Sequence, residues 1–503
     1  MKGYRPQLQR LKTEIPGFDA VCHGGLPLGR STLVTGTAGS AKTVFAAQFL
    51  AEGIEKTGQP AVFVTFEETP GRIRQNMSAL GWNIAAWERE GKWLFVDASP
   101  VFADDQSIVG QYDLNALMAR VENAVKKTGA KRLSIDSITS IFHQLQDSRT
   151  LRYQLLRLVH LIDRLGVTAI ITAERESEYG PIARLGIEEF VADNVIILRN
   201  VLEDEKRRRT LEVLKFRGAS HHKGESAFTL TPNDGIVVIP LSSIELDQRS
   251  SDARVVSGIP ELDNMCGGGF FRDSVVLVSG ATGTGKTLLT TQFLGGGAAN
   301  KERCLLFAFE ESRDQLARNA RGWGINFPVH ENSKLLNVVC EYPERMSLED
   351  HLIRIKATID EYKPQRLAID SLSAIERVST VKGFREFVIG LTHYVKQKEI
   401  MTLFTSTTPN LTGGPSATEA HISTLTDSII LLRYVEMYGE MKRGITVLKM
   451  RGSKHDKEIR EFHIDDKGMH IGPAFRDVTG ILSGVVQHTS VNEIDRVRNI
   501  FKK

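Results

Sequence analysis

The chain has 503 residues, of which 41% are hydrophobic and 25% charged, and its formal net charge is +3. That length exceeds what one core usually organises, so two domains of about 250 residues are expected. So small a charge argues against a global basic footprint for nucleic acid, and no run of about 18 apolar residues offers a membrane span.

From the N-terminus, Met1-Lys2-Gly3-Tyr4-Arg5 has no signal-peptide pattern. Cys22, Cys266, Cys304 and Cys340 form no C-x-x-C pair and have no histidine at zinc spacing, so they read as buried residues in a reducing, cytoplasmic compartment. Gly36-Thr37-Ala38-Gly39-Ser40-Ala41-Lys42-Thr43 is a phosphate loop. Its backbone N–H groups, from Gly36, Thr37, Gly39, Ser40 and Ala41, would turn onto a phosphate chain, with Lys42 on the β/γ-phosphates and Thr43 on Mg²⁺. Ala41 stands where the motif wants glycine, and if that position needs φ > 0 its Cβ costs about 1–2 kcal/mol. Binding should survive because Lys42 and Thr43 remain; the rate of hydrolysis is what Ala41 leaves open.

Further along, the apolar runs Ala61 to Val64, Leu133 to Ile135 and Val167 to Thr172 alternate with helical patterns such as Leu151 to Leu165. This order predicts an α/β fold, a mainly parallel sheet with helices on both faces, whose ligands sit at the carboxyl ends of the strands. Glu67 and Glu68 in Phe66-Glu67-Glu68 fall at such ends, as does Asp136 in Ile135-Asp136-Ser137, a candidate for holding the metal through water. Lys206-Arg207-Arg208-Arg209 lies between the Asp193 to Arg199 strand and Leu211 to Lys215, as a hairpin tip would rather than a pore loop. A motor that grips single-stranded DNA is therefore not the leading expectation. Lys215 and Arg217 form a basic pair, and the polar stretch Gln248 to Arg254 reads as an interdomain linker.

The second half repeats the first. Ile15, Cys22 and Gly36 recur 244 residues later as Ile259, Cys266 and Gly280, so the halves are copies. After the apolar run Ser274 to Val278 comes a complete phosphate loop, Gly280-Ala281-Thr282-Gly283-Thr284-Gly285-Lys286-Thr287, followed by a helix start at Leu288-Leu289. Phe309-Glu310-Glu311 matches Phe66-Glu67-Glu68, Asp370 matches Asp136, and Lys449 with Arg451 matches Lys215 with Arg217. Adjacent residues on an extended segment point to opposite sides, so one of Glu310 and Glu311 is expected to be the catalytic base and the other supporting. The expected divisions are residues 1–247, a linker at 248–257, a second domain at 258–484 and a tail at 485–503. In that tail Val491, Ile494, Val497 and Ile500 would share one helix face.

The tandem phosphate loops, the paired Phe-Glu-Glu sequences and Ser423-Thr424 resemble the RecA-like P-loop ATPases, and within them the double-domain KaiC family of circadian clock ATPases and autokinases. The resemblance spans roughly Thr13 to Gly484. It implies a homohexameric double ring with ATP and Mg²⁺ between neighbouring subunits, slow hydrolysis in the first domain, and autophosphorylation and dephosphorylation in the second. It makes Glu310 the general base of phosphotransfer, while Glu67 and Glu68 activate water. It sends Lys215, Arg217, Lys449 and Arg451 across the ring to the neighbour's γ-phosphate, with Arg377 and Arg385 as further candidates. Ser423 and Thr424 match the family's phosphorylated pair and Thr418 its accessory threonine. The first copy has Glu189, Phe190 and Arg184 at those places, so only the second offers hydroxyls. The family also implies a small thioredoxin-like partner on the first domain, where the Asp97 to Gln111 loop and Tyr112-Asp113-Leu114 lie. An activator that draws out the C-terminal segment is implied too, but Thr479 to Thr489 matches that segment only loosely, which leaves the requirement open. Two alternatives stand beside this reading: a DNA-binding ATPase, and a nucleotide-dependent scaffold whose hydrolysis Ala41 has made vestigial.

Overall fold

The computed structural model describes residues 8–99, 114–139, 148–182, 192–203, 206–241, 250–408, 422–437, 439–476, 478–481 and 487–488. The chain divides into two compact units, Met1–Ile244 and Glu245–Lys503. Arg184, Glu189, Phe190 and Thr418, the loop before Leu114, and the 491–501 segment lie outside the described residues.

Each unit is organised on a nine-stranded sheet. In the first, the strands are β1 Ser31–Gly36, β2 Ala61–Thr65, β3 Trp93–Asp97, β4 Arg132–Asp136, β5 Thr168–Glu174, β6 Asn194–Glu203, β7 Lys206–Phe216, β8 Glu225–Thr231 and β9 Gly235–Ile239. The second has β10 Val275–Gly280, β11 Cys304–Ala308, β12 Leu336–Cys340, β13 Arg366–Asp370, β14 Met401–Thr407, β15 Ser428–Met437, β16 Glu440–Met450, β17 Arg460–Asp465 and β18 Gly468–Ala474. The orders correspond strand for strand: β3-β2-β4-β5-β1-β6-β7-β8-β9 and β12-β11-β13-β14-β10-β15-β16-β17-β18. The first six strands of each series run parallel, and the last three return antiparallel.

The inner strands lack polar alternation because both faces of the sheet are covered. All five residues of β2 are buried, as expected of a parallel sheet between helix layers. In the first unit Val34, Phe63 and Ile170 join Phe45 and Phe49 of the helix Lys42–Thr57 in one core. Leu33, Val62 and Ile171 face the other way, onto Leu117 and Val121 of the helix Leu114–Thr128 and Leu155 of the helix Ser148–Leu165. The run Lys206 to Arg209 begins β7 and pairs back on β6. At the end of the polar stretch, Arg254–Val255 pairs with Phe270–Phe271 inside the second unit.

A buried arginine anchors the start of β4 and of β13. Arg366 is 1% exposed and donates to the Val256 and Phe293 carbonyls at 2.8 and 2.9 Å and to Glu302 Oε2 at 2.6 Å. It fits because Gly297, on the helix Lys286–Ala299, has no side chain: a Cβ there would lie 2.6 Å from Arg366 Cδ, Arg366 Nε and Cys304 Sγ. Gly297→Ala is expected to lower the unfolding midpoint of the second unit, since overpacking at about 1–3 kcal/mol exceeds the helix-propensity gain of about 1 kcal/mol. Thermal unfolding followed by circular dichroism checks it.

All four cysteines are free, with Cys22, Cys266 and Cys304 buried and Cys340 half-buried. Burial pushes the thiols of Cys266 and Cys304 up to about 12. Among the described residues, no helix is long and apolar enough to cross a membrane.

Candidate nucleotide and phosphoryl-transfer sites

The two phosphate loops connect the central strands β1 and β10 to the helices Lys42–Thr57 and Lys286–Ala299. Both begin at a glycine that tolerates no side chain, because a Cβ on Gly280 would sit 2.5 Å from the Leu432 carbonyl and 2.8 Å from Thr284 Oγ1. At the motif's last glycine position the backbone is left-handed in both copies, with φ 109° at Gly285 and 73° at Ala41. Ala41 therefore carries the strain its residue type implies. Ala41→Gly is expected to stabilise the first unit by about 0.5–1 kcal/mol, the relief of about 1–2 kcal/mol being partly offset by glycine's backbone entropy. Urea unfolding of that unit measures it.

Lys286 is 8% and Lys42 9% exposed. Lys286 Nζ donates to the Gly280 and Ala281 carbonyls, both at 2.9 Å, and Lys42 Nζ to the Thr37 carbonyl at 2.9 Å. Burial pulls both ammonium groups below the ordinary lysine range, against the attraction of Asp370 and Glu310 on Lys286 and of Glu174, Asp136, Glu67 and Glu178 on Lys42. The field at each loop is thus a desolvated cation opposed by carboxylates.

Asp136 ends β4 and Asp370 ends β13, and the peptide bonds Asp136–Ser137 and Asp370–Ser371 are both cis. Each aspartate accepts from a strand threonine, Thr172 or Thr405, at 2.5 Å. Each also lies by the phosphate-loop threonine, Thr43 or Thr287, whose hydroxyl favours the carboxylate. Burial raises both carboxyls above the usual aspartate range. The threonine and aspartate that the sequence pairs on a metal are therefore in contact in both copies.

Glu310 and Glu311 diverge from the end of β11 while both stay in the field of Asp370. Glu310 is exposed. It accepts from Arg377 Nη2 at 2.6 Å and Ser371 Oγ at 2.9 Å. Glu311 is half-buried, accepts from Asn319 Nδ2 at 3.1 Å, lies by the Thr287 hydroxyl, and is lifted above the glutamate range by burial and then by Asp370. The first copy repeats the arrangement, with Asn76 Nδ2 donating to Glu68 Oε2 at 3.0 Å and Glu67 in the field of Lys42 and Asp136. Arg377 thus belongs to the site, whereas Arg385 is exposed on the helix Val381–Gln397.

The basic pair holds its own chain's loop. Lys449 Nζ donates to the carbonyls of Ser423 and Thr426, both at 2.6 Å, and Arg451 Nη2 to that of Thr424 at 2.9 Å. Ser423 is half-buried and Thr424 exposed. In the first copy Lys215 Nζ donates to the Ala192 carbonyl at 2.8 Å, and Arg217 lies 3.7 Å from Asp193.

Several contacts were not visible in the sequence. Glu178 accepts from Thr37 Oγ1 and, at 3.1 Å, from the Asn200 N–H, which places a carboxylate against the first phosphate loop. The recurring Thr172/Thr405 and Asn76/Asn319 could have been found by extending the comparison of the two copies. Glu178 has no such signal, because neither residue at the matching offsets, Leu411 or Thr412, is acidic.

Two mainly parallel sheets, each presenting a glycine-rich loop, a buried lysine and a threonine–aspartate contact at its carboxyl edge, define a tandem P-loop ATPase. The chain belongs to the KaiC ATPase family, whose pattern matches residues 11–243 and again 255–475. It is 64% identical over 494 residues to the circadian clock protein KaiC3 of Synechocystis sp., covering 98% of each chain. To the circadian clock oscillator protein KaiC of Synechococcus elongatus it is 54% identical over 495 residues, 98% of this chain and 95% of the other. The oscillator protein KaiC of Acaryochloris marina is 53% identical over 487 residues, 97% and 93% of the two chains.

Proposed function

We propose that this chain is a cytoplasmic clock-type timer that assembles as a homohexameric double ring, hydrolysing ATP in the domain at 1–247 and phosphorylating itself in the domain at 258–484. The observation that carries the kinase half is the seating of Ser423 and Thr424 on Lys449 and Arg451. A basic pair that grips the loop through its carbonyls brings two hydroxyls to whatever γ-phosphate it reaches.

Thr287 with Asp370, and Thr43 with Asp136, fit Mg²⁺, since a hydroxyl and a carboxylate already in contact are hard oxygen donors suited to an ion that keeps most of its waters. Bound with ATP, that ion would neutralise charge on the β- and γ-phosphates. Lys286 would donate to the γ-phosphate, Glu310 would take the proton of the Ser423 or Thr424 hydroxyl as that oxygen bonds to the γ-phosphorus and the bond to the departing ADP oxygen breaks, and Arg377 would steer Glu310. In the first domain Lys42 serves the phosphate, Glu67 and Glu68 orient water, and Lys215 with Arg217 answers a neighbour's nucleotide.

Native mass spectrometry in Mg·ATP, followed by denaturing mass measurement, tests the proposal. A six-chain species whose chains gain phosphate on incubation is the expected outcome. A monomer that binds ATP and gains none would overturn it.

A further inference from the structure

Beneath Phe309-Glu310-Glu311 the second unit buries a polar pair that the first unit lacks. Glu341 follows β12, and its N–H donates to the Ala308 carbonyl at 3.0 Å. Its side chain, 1% exposed, lies with Oε2 2.8 Å from Arg354 Nη1 and Oε1 3.5 Å from Nδ1 of His351, itself 1% exposed. His351 Nε2 lies 3.1 Å from the Pro343 carbonyl. The imidazole thus lies between two acceptors, the Pro343 carbonyl and Glu341 Oε1. Burial pushes the Glu341 carboxyl up, but His351, Arg354 and Arg345 more than offset this and hold it below the ordinary glutamate range.

The ring of His351 stands edge-on to Phe309, with centroids 5.4 Å apart and planes at 87°. Phe309 is 2% exposed, and its N–H donates to the Asp370 carbonyl at 2.8 Å. It is therefore pinned between Asp370 and His351, and the next two residues are the carboxylates of the site. The first copy keeps the backbone frame, with Ala98 N–H on the Thr65 carbonyl at 2.8 Å and Phe66 N–H on the Asp136 carbonyl at 2.9 Å. It also keeps the arginine, as Arg120, which donates to the Asp97 carbonyl at 2.6 Å. In place of Glu341 and His351, however, it has Ala98 and Leu117, 4% and 5% exposed. A buried polar pair built on a carboxylate commonly costs stability relative to apolar filling, so its restriction to one copy calls for a role there.

We propose that His351, braced by Glu341, is a positioning residue for Glu310 and Glu311 in γ-phosphate chemistry at the second site. The proposal rests on the reading of that domain as the phosphotransfer half. His351→Leu/Glu341→Ala gives the second unit the first unit's residues, and His351→Gln keeps two N–H donors on one nitrogen. Both are made in a Glu67→Gln/Glu68→Gln background, so that hydrolysis reports the second site. At saturating Mg·ATP the double replacement is expected to slow both phosphate gain and single-turnover γ-phosphate release about ten- to a hundredfold, as small misplacements of catalytic groups do. The dissociation constant for ATP should stay within about twofold, and His351→Gln should recover to within about threefold of the parent rate. Unchanged rates, or an affinity loss as large as the rate loss, would overturn the proposal. Should the double replacement unfold, His351→Gln alone decides, and a rate more than about tenfold below the parent with intact fold and affinity would contradict the donor argument. A parent that hydrolyses ATP at the second site without gaining phosphate would refute the kinase reading instead, and the hydrolysis rates would then decide the role of His351.

Discussion

Lys286→Met is expected to yield a folded protein that gains phosphate at least about 100-fold more slowly than wild type, a loss of about 2.7 kcal/mol of transition-state stabilisation. Lys286 is nearly solvent-free, held by the Gly280 and Ala281 carbonyls and attracted by Asp370 and Glu310. A desolvated ammonium already oriented in the loop needs little reorganisation to meet charge developing on a γ-phosphate, and such preorganised donors are worth most where water is excluded. Methionine occupies similar space without the charge, and replacing a buried ion by an apolar group is often neutral or stabilising. The unfolding midpoint should therefore stay level or rise while intact-mass kinetics show transfer lost. Equal losses of stability and rate would mean that Lys286 serves the fold instead.

Exchanging the glutamates for glutamine one domain at a time should separate the two activities. Glu310→Gln is expected to slow phosphate gain about 10²- to 10⁴-fold, the usual contribution of a general base, while the first domain's release of inorganic phosphate continues. Glu67→Gln/Glu68→Gln should do the reverse. Glutamine preserves shape: its Oε1 can still accept from Arg377, 2.6 Å from Glu310 Oε1, and its amide N–H can donate to Ser371 Oγ, 2.9 Å from Glu310 Oε2, so the change is chiefly the loss of charge and basicity. If Glu310→Gln transfers phosphate at the wild-type rate and Glu311→Gln does not, the base is Glu311, the residue nearer Thr287 and already raised by burial.

What the sequence made legible was what the duplication repeated. Two phosphate loops, two acidic pairs and two strand-end aspartates announced a parallel sheet with its chemistry at one edge, and the left-handed backbone expected of Ala41 is present at φ 73°. Less legible were contacts between residues that sit far apart in the chain or differ between the copies. Lys449 and Arg451 read as a pair directed at a neighbour; within the chain they hold the carbonyls of Ser423, Thr424 and Thr426. Glu341 and His351 look like an ordinary loop acid and a helical histidine until β12 and the helix Leu348–Tyr362 bring them under Phe309. Such groups follow from packing across the sheet, which no local spacing encodes.

The division of labour between the copies is tested most directly by following the γ-phosphate of labelled ATP. Peptide mapping after incubation with Mg²⁺ should find label only on Ser423 and Thr424, and none in Ser423→Ala/Thr424→Ala. Label missing from wild type, or retained by the double variant, would contradict the account.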